Sequence, residues 1–172
     1  MIISLVGYAG SGKSSLGKRL ARRLGVDFVD TDKYVERMVG ATIADIFLYE
    51  GEEYFRRSER AAVEAIVEGR RDVLVATGGG LPTWGDNMER LKECGMTVYL
   101  RRAPEQILAR LTDYGREKRP MFRGKSDQEL LQFMRAQMAG REPYYAAAAL
   151  TIDCSTMGDD DVVEYIVNEL KR

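Results

Sequence analysis

One glycine-rich segment constrains this chain more than any other feature. Residues 7–14 read GYAGSGKS and fit the pattern G-x-x-x-x-G-K-[ST]. An apolar run of strand length precedes the segment at residues 2–6, and residues 16–24 follow it with helical spacing. This order is typical of a phosphate-binding loop between a buried strand and a helix. The sequence therefore predicts a protein that binds the phosphates of a nucleoside triphosphate.

The residue types in this segment have physical reasons to be there. Gly7, Gly10 and Gly12 allow the backbone to bend so that successive N–H groups converge on phosphate oxygens. The helix that starts near Lys13 adds its positive N-terminal end. Lys13 can reach the β- and γ-phosphates, and the Ser14 hydroxyl can ligate Mg²⁺. The alternative is a glycine-rich turn between strand and helix that binds no ligand.

Composition excludes several classes of partner. The chain has 172 residues, a net charge of −1, no histidine and two cysteines. We expect one domain over residues 1–172, with neither nucleic acid nor an anionic membrane as partner, because basic charge is not in excess. A strand that starts at residue 2 leaves no room for a targeting peptide, and no apolar run has the length of a membrane span. Cys94 and Cys154 lack paired spacing, which favours reduced thiols in a cytoplasmic protein, expected to be a monomer.

The rest of the chain alternates between apolar strand-like runs and helical segments. Further strands are predicted at residues 26–30, 73–76, 96–100 and 150–153. With the first strand they give an α/β fold in which a five-stranded parallel sheet is covered by helices on both faces. A long helix starts at a capping box of Ser126 and Glu129, and Pro143 is predicted to bend or restart it.

Polar and glycine-rich residues follow two of these strands directly. Asp30, Thr31 and Asp32 come after the second strand, and residues 78–80 are three glycines after the third. Ligands of open α/β sheets bind outside the carboxyl ends of the strands, so these residues are predicted to face the phosphate loop. The alternatives are that Asp30 or Thr31 merely caps the next helix and that the glycines form a flexible turn.

Two arginines occupy an unfavourable position. Arg56 and Arg57 lie in the first part of a helix predicted over residues 52–68, where the helix dipole disfavours cations. One of them is therefore expected to have a ligand or a carboxylate partner, and an ordinary solvated arginine is an equally open alternative.

Residues 113–125 differ in character from the rest. They combine glycine and proline with five basic side chains: Arg116, Lys118, Arg119, Arg123 and Lys125. In a protein that binds phosphates, we interpret this stretch as a mobile lid that closes over the triphosphate. A solvated basic loop is the alternative.

A series of short motifs extends over most of the chain. They are DTD at residues 30–32, IADIF at 43–47, GEEYFRRSE at 51–59, GGG at 78–80, RPMF at 119–122 and REPYY at 141–145. In these motifs and their spacing, the chain resembles the shikimate kinase family from end to end. The resemblance implies a three-layer P-loop kinase fold with the sheet order 2-3-1-4-5 found in nucleoside monophosphate kinases.

The resemblance also implies an activity and its regions. The enzyme would be a small-molecule kinase that transfers the γ-phosphate of ATP to the 3-hydroxyl of shikimate, giving 3-phosphoshikimate and ADP in aromatic amino-acid biosynthesis. The phosphate loop would span residues 7–15, the acceptor-binding region about 32–60, and the lid about 113–125. The bound partners would be ATP, Mg²⁺ and shikimate.

The resemblance also implies roles for individual residues, which form four sets. The ATP-binding set is Gly10, Ser11, Gly12, Lys13, Ser14, Ser15, Arg110 and Arg119. The acceptor-binding set is Asp32, Phe55, Arg56, Gly78, Gly79, Gly80 and Arg141, with Phe47 as a further pocket wall. The catalytic set is Lys13, Asp32 and Arg119, and the metal set is Ser14 together with Asp30, which acts through water. The chain departs from the family where the loop after the last strand reads DCSTMGDDD, without the proline or arginine often found beside adenine, and where the lid is slightly long.

The chemistry of the residues supports this interpretation but is compatible with other functions. With no histidine present, Asp32 is the best candidate base for the acceptor hydroxyl. Arginines outside the phosphate machinery, Arg56 and Arg141, suggest an acceptor that carries a carboxylate. Gluconate, another polyhydroxy acid, fits the same charge argument. A guanine-nucleotide switch would need an N-K-x-D segment, which the sequence lacks, and an inactive regulatory domain would not need all of these charged residues.

Overall fold

The computed structural model describes residues 1–69 and 72–171. Its described residues form one parallel sheet of five strands: β1 (Ile2–Val6), β2 (Asp27–Asp30), β3 (Val73–Ala76), β4 (Met96–Arg101) and β5 (Leu150–Asp153). Their order across the sheet is β2-β3-β1-β4-β5, as predicted. Because all strands point the same way, the segments that follow β1, β2 and β3 lie at one edge of the sheet.

Helices connect each strand to the next. They are α1 (Lys13–Leu24), α2 (Thr31–Val39), α3 (Ile43–Tyr49), α4 (Gly51–Glu68), α5 (Asn87–Cys94), α6 (Pro104–Arg110), α7 (Asp113–Glu117), α8 (Asp127–Ala146) and α9 (Asp159–Glu169), with short 3₁₀ turns at Leu81–Thr83 and Pro120–Phe122. None of the helices in the described part of the chain is long and apolar enough to cross a membrane.

Alternation along the central strand produces a core on each face of the sheet. Ile3 and Leu5 of β1 are fully buried in one cluster with residues of α1 and α9. Val6 and Tyr8 belong to a second cluster, which includes residues of α5, α6 and α8. Successive side chains of a strand point to opposite faces, so one apolar strand supports both layers. The predicted three-layer α/β fold is confirmed.

Several predicted boundaries differ from the structure by one residue. The second strand starts at Asp27, the fourth extends to Arg101, and α4 starts at Gly51. Of the bend or restart predicted at Pro143, the restart is wrong, because α8 continues through Pro143 to Ala146. Proline removes one N–H from the helix, but burial of Tyr145 in the core holds the last turn in place.

Candidate active site

The phosphate loop has the backbone geometry that its glycines predict. Gly7, Gly10 and Gly12 all have positive φ angles, of 144°, 82° and 100°. A Cβ on Gly7 would lie 2.8 Å from the carbonyl oxygen of Leu100, and one on Gly10 would lie 2.9 Å from a methyl carbon of Ile107. Side chains at these positions are therefore excluded by space as well as by backbone conformation. The result is a tight loop directly before the N-terminus of α1.

The Lys13 ammonium lies inside this loop. It donates hydrogen bonds to the carbonyl oxygens of Gly7, at 2.7 Å, and Tyr8, at 2.8 Å. Burial lowers the pKa of Lys13 to about 8, while the nearby Asp32 carboxylate acts in the opposite direction. A buried cation of this kind gains most from an anionic ligand, since an opposite charge offsets its desolvation.

A cavity of about 410 Å³ opens beside the loop. Its wall combines the phosphate loop, Asp30 at the end of β2, Asp32 just after it, the first two glycines after β3, residues of α6 and the first part of the predicted lid. The lining residues with polar side chains are Lys13, Ser14, Ser15, Asp30, Asp32, Thr77, Arg110, Thr112, Tyr114, Lys118 and Arg119. The structure thus brings the phosphate loop, the DTD motif, the start of the triple glycine and the lid together around one space, whereas Phe55, Arg56 and Arg141 are not among its lining residues.

Asp30 both caps a helix and faces the phosphate loop, the two alternatives that the sequence left open. One carboxylate oxygen accepts the N–H groups of Asp32 and Lys33, at 3.1 and 3.3 Å, and so caps α2. The other oxygen accepts the hydroxyl of Ser14 at 2.7 Å. Asp30 is therefore a helix cap whose second oxygen faces the start of α1.

Asp32 lies deeper and has a different electrostatic environment. Burial raises the pKa of its carboxyl group, the charge of Asp30 raises it further, and Lys13 opposes both. A Cβ on Gly78 would lie 2.6 Å from Asp32 Oδ1, so a larger residue at that position would displace the Asp32 carboxylate. A carboxyl group with a raised pKa is a better proton acceptor than an ordinary aspartate.

Arg56 lies on α4 beside the last of the three glycines. Its Nη1 donates to Glu59 Oε2 at 2.6 Å, and its Nη2 would lie 2.5 Å from a Cβ on Gly80. Glu59 is 1% exposed, and this burial raises its pKa to about 7, although Arg56 acts to lower it. By contrast, the side chain of Arg57 is 63% exposed and pairs with Glu53. Arg56 is thus the arginine aimed into the molecule.

Arg141 reaches the same glycine run from α8. Its Nη1 would lie 3.4 Å from a Cβ on Gly79, and its guanidinium lies over the ring of Tyr8, 5.8 Å from the centroid. Two guanidinium groups from different helices therefore border consecutive glycines next to the phosphate loop. Such planar donors are suited to a carboxylate ligand.

Comparisons with known proteins agree with one another. A model of the shikimate kinase family matches residues 9–171. A shikimate kinase from Parabacteroides distasonis is 38% identical over 170 residues, which cover 99% of this chain and 97% of the relative. The crystal structure of shikimate kinase from Bacteroides thetaiotaomicron superposes with a TM-score of 0.91 at 33% identity, covering 100% and 99% of the two chains.

The chain belongs to the shikimate kinase family.

A further family structure bears on the acceptor. Shikimate kinase from Acinetobacter baumannii in complex with shikimate has a TM-score of 0.87 and 35% identity, with coverage of 98% of this chain and 92% of that one. The predicted family and fold are confirmed, and with them the class of small-molecule kinases. The roles of the individual site residues remain predictions.

Two further predicted ATP-side residues, Arg119 and Arg110, line the cavity, whereas Ser11 is buried and does not. Arg119 donates to the carbonyl oxygen of Gly115 at 2.7 Å, and burial lowers the pKa of its guanidinium. Arg110 is paired with Asp159 through two hydrogen bonds, at 3.1 and 3.2 Å. Both arginines therefore already have hydrogen-bond partners in the protein. To bind a nucleotide, each would have to give up some of these bonds.

The two phenylalanines that were predicted to wall the acceptor pocket lie against each other. Phe55 is buried, and its ring lies 4.7 Å from that of Phe47, which is 40% exposed. The Arg56 guanidinium lies 5.3 Å from the Phe55 centroid. Phe55 thus packs against the Arg56 guanidinium, in addition to any contact with a ligand.

Sequence reasoning missed two residues of this site. Glu59 is the buried partner of Arg56, and the signal was its position three residues later on the same helix face. Tyr145 donates to the carbonyl oxygen of Gly79 at 2.5 Å. It lies within the REPYY motif, but nothing in the sequence distinguishes its role from that of Tyr144.

Proposed function

We propose that this protein transfers the γ-phosphate of ATP to the 3-hydroxyl of shikimate, forming 3-phosphoshikimate and ADP. The observation that carries the proposal is the convergence of Arg56 and Arg141 on the glycine run beside the phosphate loop. This arrangement suits a small hydroxylated carboxylic acid held next to a triphosphate. We assign phosphate binding to residues 7–15, acceptor binding to about 32–60 together with Arg141, and the lid to about 113–125.

The chemistry requires little covalent participation by the protein. The acceptor oxygen forms a bond to the γ-phosphorus, the bond to the β–γ bridging oxygen breaks, and ADP leaves. Asp32 orients the hydroxyl and accepts its proton, which its raised pKa favours. Lys13 and Arg119 offset the negative charge of the transferred group.

The residues present fit a magnesium ion that arrives with ATP. The Ser14 hydroxyl and the Asp30 carboxylate lie 2.7 Å apart, and hydroxyl and carboxylate oxygens are ligands that Mg²⁺ prefers. No group of three or more acidic, cysteine or histidine side chains placed to hold a metal occurs among residues 1–69 and 72–171. As the family resemblance implies, Ser14 would ligate the ion directly and Asp30 would act through water. The bound ion would neutralise phosphate charge during transfer.

The alternative acceptor is gluconate, and the comparisons give it no support. The triple glycine and the placement of Phe55 and Arg56 favour shikimate. We further propose a cytoplasmic monomer that acts on small molecules. The free thiols of Cys94 and Cys154 support a reducing compartment.

The lid is part of the proposal. Residues 113–125 contain α7 and a 3₁₀ turn, and most of their hydrogen bonds are local, such as those of Arg116 to Lys125 and Arg123 to Glu117. Phe122, fully buried against the core, anchors the segment. Closure over ATP would bring Arg119 onto the phosphates.

Limited proteolysis tests the lid. Trypsin is expected to cut the free protein within residues 116–125, because local opening costs least in segments with few long-range contacts. A nucleotide analogue together with shikimate should protect these sites, and shikimate alone should protect them less. Equal cleavage with and without ligands would contradict a closing lid.

The proposed carboxylate contact is tested with Arg141→Lys. A lysine keeps the charge but replaces a planar two-pronged donor with a point charge. We expect kcat/KM for shikimate to fall about 10- to 150-fold, the loss of roughly 1.5–3 kcal/mol for one charged hydrogen bond. ATP affinity without acceptor should stay unchanged.

The carboxamide of shikimate is the matched acceptor for this experiment. The parent should prefer the acid, and Arg141→Lys should discriminate much less between acid and amide. Arg57→Lys, on the exposed face of α4, serves as the control substitution. Equal use of acid and amide by the parent would show that the arginines do not bind a carboxylate.

A further inference from the structure

One hydroxyl group connects two parts of the proposed acceptor site. The Tyr145 hydroxyl donates to the carbonyl oxygen of Gly79 at 2.5 Å. The Arg141 guanidinium borders the same glycine, with Nη1 3.4 Å from the position of a Cβ on Gly79, and its charge acts to lower the pKa of the Tyr145 hydroxyl. Arg141 and Tyr145 are four residues apart on α8, so they lie on the same face of the helix.

Gly79 is the point at which this face of α8 meets the phosphate loop. A Cβ on Gly79 would lie 3.2 Å from the backbone nitrogen of Ala9, 3.4 Å from Arg141 Nη1 and 3.7 Å from the carbonyl oxygen of Gly7. The glycine is thus enclosed by the loop on one side and by the arginine on the other. A change in the orientation of its peptide group would shift the acceptor relative to the phosphates.

Tyr145 is held in place by contacts outside the acceptor site. It is completely buried, and its ring lies 5.3 Å from that of Tyr99 on β4. Tyr99 in turn donates to Glu142 of α8 at 2.5 Å. Burial raises the pKa of Tyr145 to about 12, so its hydroxyl keeps its proton at neutral pH and remains a donor.

We infer that Tyr145 is a positioning residue for the acceptor: it fixes the Gly79 peptide and the Arg141 guanidinium in one orientation before shikimate binds. The inference rests on the proposed function, since it assigns the role to the same site. A site that is ordered in advance spares the acceptor the free-energy cost of ordering it. Loss of the hydroxyl should therefore weaken acceptor binding more than it slows transfer.

Tyr145→Phe tests the inference, because it removes the hydroxyl and keeps the ring that packs on Tyr99. We expect the KM for shikimate to rise roughly 10-fold, the effect of leaving one hydrogen-bonding group unpaired. We expect kcat to change by less than about 3-fold and the KM for ATP to stay unchanged. Circular dichroism and the melting temperature establish that the variant is folded.

Tyr144→Phe is the matched control, because it removes a hydroxyl from the neighbouring residue of α8, whose side chain is 42% exposed. It should leave both KM values and kcat unchanged. The double variant Tyr145→Phe with Arg141→Lys adds a second readout. Because Tyr145 acts partly through Arg141, the combined rise in KM for shikimate should be smaller than the product of the single effects.

The outcomes separate the inference from the function on which it rests. A parent protein that does not phosphorylate shikimate refutes the proposed function, and the inference with it. If the parent is active but Tyr145→Phe behaves like Tyr144→Phe, the function stands and the inference is wrong. A variant in which kcat and both KM values change together, or in which the two substitutions multiply independently, would show a general structural role and would also overturn the inference.

Discussion

Lys13→Met is expected to lower kcat about 10²- to 10³-fold, the cost of removing a preorganised charge that stabilises the transition state. The Lys13 ammonium lies within the phosphate loop, bonded to the carbonyl oxygens of Gly7 and Tyr8. On binding of ATP, we expect it to exchange these carbonyl contacts for phosphate oxygens. Methionine has nearly the same length, so it fills the space but supplies neither charge nor hydrogen bond.

Two measurements accompany this variant. The melting temperature should show a folded protein, since the methionine side chain can occupy the space of the buried lysine side chain. Lys18→Met, the same substitution at an exposed position of α1, should retain the activity of the parent. If Lys13→Met turns over within a few-fold of the parent, the phosphate loop has no part in transfer.

Asp32→Asn is expected to lower kcat by a comparable factor, because it impairs removal of the proton from the acceptor hydroxyl. Asparagine keeps the shape and part of the hydrogen bonding but removes the negative charge and the proton acceptor. General-base catalysis contributes about 10²- to 10⁴-fold, so kcat should fall within that range. Binding of ATP should survive, because the proposed metal contacts belong to Ser14 and Asp30.

Asp30→Asn provides the comparison that separates the two carboxylates. It should weaken Mg²⁺-dependent ATP binding, measured by calorimetry with and without Mg²⁺, more than Asp32→Asn does. Asp161→Asn, at an exposed position of α9, should change neither property. If Asp32→Asn reduces ATP affinity while kcat holds, Asp32 belongs with the metal and Asp30 is the acceptor-side residue.

Local patterns explain why much of this fold was predictable. The strand at residues 2–6, the phosphate loop and α1 follow one another without a gap, and each depends on neighbours in sequence. The capping box of Ser126 and Glu129 is equally local, and both of its hydrogen bonds are present. The order of the strands is different, because it depends on contacts between distant segments and followed only from the family resemblance.

Long-range contacts explain what the sequence could not provide. Arg56 and Arg57 are adjacent and chemically identical. The family resemblance favoured Arg56, but its burial against Glu59 depends on how α4 packs in the fold. Pro143 indicated an interruption, but burial of Tyr145 keeps the helix continuous. The hydrogen bond from Tyr145 to Gly79 joins residues 66 positions apart, and nothing in either residue type predicts it.

The most direct test of the account is ADP release measured over a panel of acceptors with the unmodified protein. The panel consists of shikimate, quinate, gluconate, nucleoside monophosphates and water, each with ATP and Mg²⁺. We predict high kcat/KM with shikimate and little turnover with gluconate, nucleotides or water. Efficient turnover of gluconate or a nucleoside monophosphate without turnover of shikimate would contradict the assignment of the acceptor.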